Sequence, residues 1–99
     1  MTLLKLAVDK EPFEVMITGE KVIEYRRACP WIESRLNKNH RFIEVTNGYG
    51  QGRPFFKAEI KKVYAVDEVN VEFSNGLKVN AAERTYCIEF GDIIEKRNY

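Results

Sequence analysis

From Phe56 to Val66 the chain alternates strictly enough to exclude a helix. Phe56, Ala58, Ile60, Tyr64 and Val66 share one parity, with Lys57, Glu59 and Lys61 on the other and Lys62 interrupting the apolar row. A period of two puts successive side chains on opposite faces of an extended backbone, so this segment reads as a long strand with one wet face. Asp67-Glu68 turns it, and Val69, Val71 and Phe73 resume the alternation. Asn75-Gly76 then separates that run from Leu77-Lys78-Val79, and Asn-Gly supplies the positive-φ pair that a tight hairpin requires. An antiparallel sheet follows. Asn80-Ala81-Ala82-Glu83 has the spacing of a capping box and is expected to support one helical turn. Tyr86, Ile88 and Phe90 make a last strand opposite Cys87 and Glu89, with Gly91 marking a bulge.

The first half of the chain mixes strands with two short helices. Thr2 to Val8 reads as a strand with Leu4, Leu6 and Val8 on one side. Asp9 or Glu11 begins a helix, Pro12 fits its first turn, and Phe13, Met16 and Ile17 form its apolar face. Gly19 is placed to close that helix, because a left-handed terminal residue costs glycine least. A second helix opens at Pro30 and runs through Trp31, Ile32 and Leu36, with Arg35 one turn after Trp31 and able to stack on its indole. Arg41 to Thr46 is a strand with Ile43 and Val45 inward. It leads into Asn47-Gly48-Tyr49-Gly50-Gln51-Gly52-Arg53, a hairpin connection whose glycines allow close backbone approach and whose Arg53 could meet a phosphate. The spacing is not that of a dinucleotide-binding loop, and a strand rather than a helix follows it.

Between the first helix and the second lies Gly19-Glu20-Lys21-Val22-Ile23-Glu24-Tyr25-Arg26-Arg27, a strand carrying both signs of charge. Alternation puts Ile23 and Tyr25 inward and Glu24 and Arg26 on the other side, about 7 Å apart. These two either line one wall of a pocket or pair with each other. Lys21 sits at the junction, where alternation has not begun. The net charge of +1 conceals a concentration of bases here: residues 21–62 hold ten bases and four acids, against two and four in residues 1–20 and four and seven in residues 63–99. That is suited to a local anion-binding face and not to binding nucleic acid by bulk charge.

The pattern Gly19-x-Lys21-x-x-Glu24-x-Arg26, after a short amphipathic helix in a chain of 99 residues, resembles the signature of the ASCH domain, a relative of the PUA-like RNA-binding barrels. The order of elements agrees along nearly the whole chain. The resemblance implies an α+β fold: a small PUA-like mixed β-barrel with two short helices, residues 1–99 forming a single domain. Its cleft would hold Gly19, Lys21, Glu24 and Arg26, joined by Trp31 and Arg35. The partner it implies is RNA, a nucleotide or a modified nucleoside, with Lys21, Arg26 and Arg35 meeting phosphate or ribose oxygens and an aromatic ring stacking the base.

An enzymatic alternative, amide or ribonuclease-type phosphodiester hydrolysis of modified nucleosides or RNA, comes from the same family, which includes enzymes resembling N4-acetylcytidine amidohydrolases. In these a lysine activates a threonine on the signature strand and a distant glutamate assists. Lys21 matches the lysine, but the threonine position is Glu24 here. The catalytic residues of a hydrolase would then be Lys21 and Glu24, with Glu24 as general base toward water and Glu72, Glu83 or Glu89 as a second carboxylate. A third reading makes Glu24, Arg26 and Arg35 a structural ion-pair network in a protein-interaction barrel.

Composition narrows the remaining classes. With 44% hydrophobic and 31% charged residues the chain is built to fold, and at this length it can do so without disulfides or metal. Cys29 and Cys87 have no CxxC spacing, and both are expected to be small buried hydrophobes in a reducing compartment. His40 lies in a polar connection and reads as a surface residue. No cofactor fingerprint or metal-ligand cluster occurs, and no leader-like or membrane-spanning apolar run does either, so the expected location is cytoplasmic.

Overall fold

The computed structural model describes residues 2–97, arranged as seven strands and two helices in an α+β fold. In chain order these are β1 (Thr2–Val8), α1 (Lys10–Ile17), β2 (Ile23–Arg27), α2 (Pro30–Leu36), β3 (His40–Asn47), β4 (Phe55–Val66), β5 (Val69–Glu72), β6 (Lys78–Ala81) and β7 (Thr85–Arg97). Five strands form one sheet in the order β1-β3-β4-β7-β2, and β5-β6 is a separate hairpin. The alternating segment became β4, whose register with β7 shifts three times. One shift sets Ala58 and Ile60 against Ile93 and Phe90, so the extra residue on β7 lies beside Gly91, where the bulge was expected.

One pairing departs from the antiparallel expectation. β1 and β3 run parallel, with Leu4 opposite Ile43 and Leu6 opposite Val45. Parallel neighbours need a long crossover, and residues 9–39 supply it with α1, β2 and α2. Local turn signals report only strands adjacent in sequence, which is why they miss this pair.

The core lies on the inner face of the five-stranded sheet under α1 and α2. Phe56 is its hub, with its ring 5.7 Å from Phe13 of α1 and 5.6 Å from Phe90 of β7. Leu4, Leu6, Ile32, Ile43, Val45, Met16 and Ile88 complete it, each of the larger ones contributing about 1.5–3 kcal/mol by burial. The inward sets expected for β1, β3 and the start of β4 are those observed; α1 buries Phe13 and Met16 as expected, but Val15 is buried too and Ile17 is only half-buried against the core.

Other expectations are corrected. Residues 80–83 form no helical turn, because Asn80 and Ala81 are taken into β6 opposite Asn70 and Val69 and the chain only bends afterwards. Cys29 is exposed at the N-cap of α2, where the chain must leave β2, whereas Cys87 is buried on β7, an interior strand between β4 and β2. Trp31 is 48% exposed and is not a core anchor; Ile32 takes that place.

The hydrogen-bonded sheet order is open, with β1 and β2 at its two ends. The closed barrel expected from sequence is thus not completed by strand pairing among the described residues. The two ends nevertheless come within reach of one side chain: the Arg26 guanidinium of β2 donates through Nη2 to the Ala7 carbonyl of β1 at 2.8 Å.

Candidate functional site

The charged strand sits at that open seam. β2 pairs antiparallel with β7, setting Glu24 opposite Ile88 and Arg26 opposite Tyr86. Cross-strand partners share a face, so Glu24 points to the side on which Ile88 is fully buried. The parity read from sequence is right, and its direction is reversed: Glu24 is buried, while Ile23 and Tyr25 are only half-buried. A carboxylate tolerates this only with partners.

Both of its oxygens have them. Lys21 Nζ donates to Glu24 Oε1 at 2.9 Å, and Arg26 Nε donates to Oε2 at 2.8 Å. Lys21 Nζ also donates to the Ile23 carbonyl at 2.7 Å and stands 5.4 Å from the Tyr25 ring centroid. The local fold imposes this. Gly19, at φ +87°, ends α1 with its N–H on the Met16 carbonyl, and the Lys21 N–H returns to the Val15 carbonyl at 2.9 Å. The turn delivers Lys21 to the carboxylate before the strand begins.

The three side chains differ sharply in access. Side-chain exposure is 2% for Lys21, 7% for Glu24 and 26% for Arg26. Burial pushes the Lys21 ammonium below the usual lysine range, against the opposing pull of the Glu24 charge and hydrogen bond. Arg26 spends one N–H on Glu24 and one on Ala7, which leaves further guanidinium donors on its half-open side.

A cleft of about 410 Å³ opens over this group, walled by Ala7, Val8, Asp9, Pro12, Tyr25, Tyr49, Leu77 and Val79 together with Lys21, Glu24 and Arg26. The β5–β6 hairpin forms one wall and is tied down at its tip: the Glu20 carboxylate accepts from the Ser74 N–H at 2.7 Å and from its hydroxyl at 2.6 Å, and Asn75 Nδ2 donates to the Glu11 carbonyl at 2.9 Å. These hydrogen bonds hold the Glu20 carboxyl below the usual carboxylate range. Tyr49, from the glycine-rich loop, is 89% exposed and overhangs the opposite wall.

Not every residue singled out from sequence reaches the cleft. Trp31 lines an adjoining recess that shares Ala7, Arg26 and Tyr49 with it. Arg35 does stack on Trp31, at 5.0 Å, but it lines a different recess and not the cleft. Gly19 borders a separate groove, and Arg53 binds the loop to itself through Nε and the Asn47 carbonyl at 2.8 Å. None of Glu72, Glu83 or Glu89 lines the cleft; Glu83 faces Arg27 at 3.6 Å and Glu89 faces Lys62 at 3.9 Å. His40 Nε2 meets the Arg35 carbonyl at 2.7 Å on the surface. Sequence reasoning missed Tyr49, Tyr25, Asp9, Leu77 and Val79. Only Tyr49 carried a signal, as a lone large ring among glycines.

Among the described residues no group of three or more His, Cys, Asp or Glu side chains could hold a metal ion, and no helix is long and apolar enough to cross a membrane. No family model, curated protein or solved structure matches the chain.

Proposed function

We propose that the protein is a nucleotide- or RNA-binding domain of the ASCH type, working through the cleft over Lys21, Glu24 and Arg26. The observation that carries this reading is the setting of Arg26: a half-open guanidinium with unspent donors, next to two exposed rings, Tyr49 and Trp31. A guanidinium fork suits phosphate, and exposed rings suit base stacking. Lys21 and Glu24 act one step back, fixing the strand end and the Arg26 rotamer. The same reading makes the Arg26 bridge to Ala7 the side-chain closure of a PUA-like barrel whose last pair of strands is held without ladder hydrogen bonds.

The test is a thermal melt against nucleosides, N4-acylated cytidines, nucleotides and short RNAs, with chromatography of each mixture afterwards. A ligand at 100 times its Kd adds about 2.7 kcal/mol, or more than ~10 °C for a domain of this size. Tyr49→Ala is the decisive variant, because a fully exposed ring has no packing to lose: binding should weaken while the unliganded melt stays put. No shift with any member of the panel refutes the reading.

One observation favours a hydrolase as the second reading. Lys21, its pKa lowered by burial, lies 2.9 Å from the Glu24 carboxylate with both side chains lining the cleft, a pairing suited to positioning a water for Glu24 as general base. A new product that disappears in Lys21→Met, with the melt showing a folded protein, would establish it.

A further inference from the structure

The cleft is the first of three recesses strung along β1. It is walled by Ala7 and Val8; the next, with Trp31, Thr46 and Glu44, by Lys5, Leu6 and Ala7; the third, with Arg35, Lys38 and His40, by Leu3, Leu4 and Lys5. Neighbouring recesses share lining residues: Ala7, Arg26 and Tyr49 belong to the first two and Lys5 to the last two.

The third recess has an unusual charge balance. Lys5, Arg35 and Lys38 line it, and no acid does. Of the thirteen other bases eight, among them Arg26, Arg41, Lys57 and Lys62, lie within 4 Å of a carboxylate. Lys5, Arg35 and Lys38 form no ion pair among the described residues, and Lys5 and Lys38 are exposed. Three uncompensated cations around one concavity repel each other and are relieved by an anion.

We propose that this recess is a second anion subsite, and that the ligand of the protein is a single-stranded oligonucleotide lying along β1, with bases on Tyr49 and Trp31 and its phosphodiester backbone continuing from Arg26 to Lys5, Lys38 and Arg35. The inference rests on the nucleotide-binding reading of the cleft and extends it from one nucleotide to a strand. Leu3 to Val8 spans about 17 Å at ~3.3 Å per residue. At the ~3.4 Å per phosphate of a stacked strand, that takes about five nucleotides, and fewer if the strand is stretched.

The chain holds a single tryptophan, Trp31, in the middle of this path, so its fluorescence reports binding directly. We would titrate 5′-phosphorylated oligouridines of one to eight nucleotides into the wild type, Tyr49→Ala, Lys38→Glu and Lys62→Glu. Lys62→Glu changes net charge equally and lies on none of the three recesses. Affinity should climb with length to about five nucleotides and then level. Each phosphate neutralised on a single strand contributes about −0.7 to the slope of log K against log salt, so three contacts weaken binding about 20-fold between 50 and 200 mM salt. Lys38→Glu should flatten that slope by at least ~0.7 and remove most of the gain with length, whereas Lys62→Glu keeps both.

Equal losses in Lys38→Glu and Lys62→Glu overturn the subsite, because bulk charge then explains everything. Binding of uridine monophosphate with no gain on lengthening overturns it too, while sparing the cleft. A salt-sensitive interaction lost in Lys38→Glu and indifferent to Tyr49→Ala supports the subsite and refutes the cleft. No binding of any oligouridine overturns both.

Discussion

Replacing Glu24 by Gln tests the centre of the site most directly. The carboxylate is 7% exposed and accepts at 2.9 Å from a lysine that is 2% exposed and at 2.8 Å from Arg26. The substitution keeps the shape and removes the charge. Lys21 is then a buried cation facing one backbone carbonyl and a neutral amide, beside a second cation. Breaking a buried pair from one side costs about 3–5 kcal/mol, a large share of the roughly 5–15 kcal/mol of a small domain. At about 4–8 °C per kcal/mol, the melting temperature should fall by at least ~12 °C. Lys21→Met combined with Glu24→Leu replaces the buried pair with apolar groups of similar volume and should recover most of that loss, because desolvation of both charges is removed together. The assay is thermal and urea unfolding of wild type, Glu24→Gln and the Lys21→Met/Glu24→Leu double variant. A Glu24→Gln melt within ~2 °C of wild type would refute the reasoning, since a desolvated lysine cannot lose its counter-charge so cheaply.

Further expectations follow from neighbouring features. In native protein one thiol, that of exposed Cys29, should react with a disulfide reagent at neutral pH; Cys87, buried and with its thiol pushed up by desolvation, should react only on unfolding. Two fast thiols in the native state would contradict the β7 placement. Gly19→Ala has no atom within 4 Å of the new Cβ, so its cost is that of a left-handed alanine alone, about 1–2 kcal/mol, and Gly19→Asn should cost less; equal melts for all three would show that φ is not held positive. The Glu20 tie to Ser74 depresses a carboxyl pKa, so its contribution is present above the unfolded value of about 4.3 and is lost as pH falls through the lower folded one. Amide exchange in β5–β6, corrected for intrinsic rates, should accelerate across that acid window in wild type, and Ser74→Ala should show the faster exchange already at neutral pH. An unchanged hairpin in Ser74→Ala would assign the tether elsewhere.

Much of the architecture was written in local pattern. Alternation fixed the faces of β1, β3 and the first half of β4, Asn75-Gly76 fixed the β5–β6 hairpin, and Pro12, Gly19 and Pro30 fixed helix boundaries, because each depends on residues a few positions apart. Even the Arg35 stack on Trp31 follows from one turn of helix. The composition of the site was legible too: Lys21, Glu24 and Arg26 lie within six residues and do meet.

Tertiary structure decided where those residues stand. Only the strand order puts β1 beside β3 and leaves β2 at the opposite end, and only the curl of the sheet brings Arg26 to the Ala7 carbonyl. Which face of β2 is buried could not be read from its sequence, since Ile23 and Tyr25 are the apolar set; pairing with β7 sets Glu24 opposite buried Ile88, and Lys21 and Arg26 neutralise it there. Tyr49, Leu77 and Val79 join the cleft from loops and a hairpin far along the chain, and Arg35 leaves it for the same reason: the direction in which α2 departs from β2 is set by packing Ile32 into the core. Local periodicity chose the elements; the demand to bury one continuous apolar face chose their neighbours.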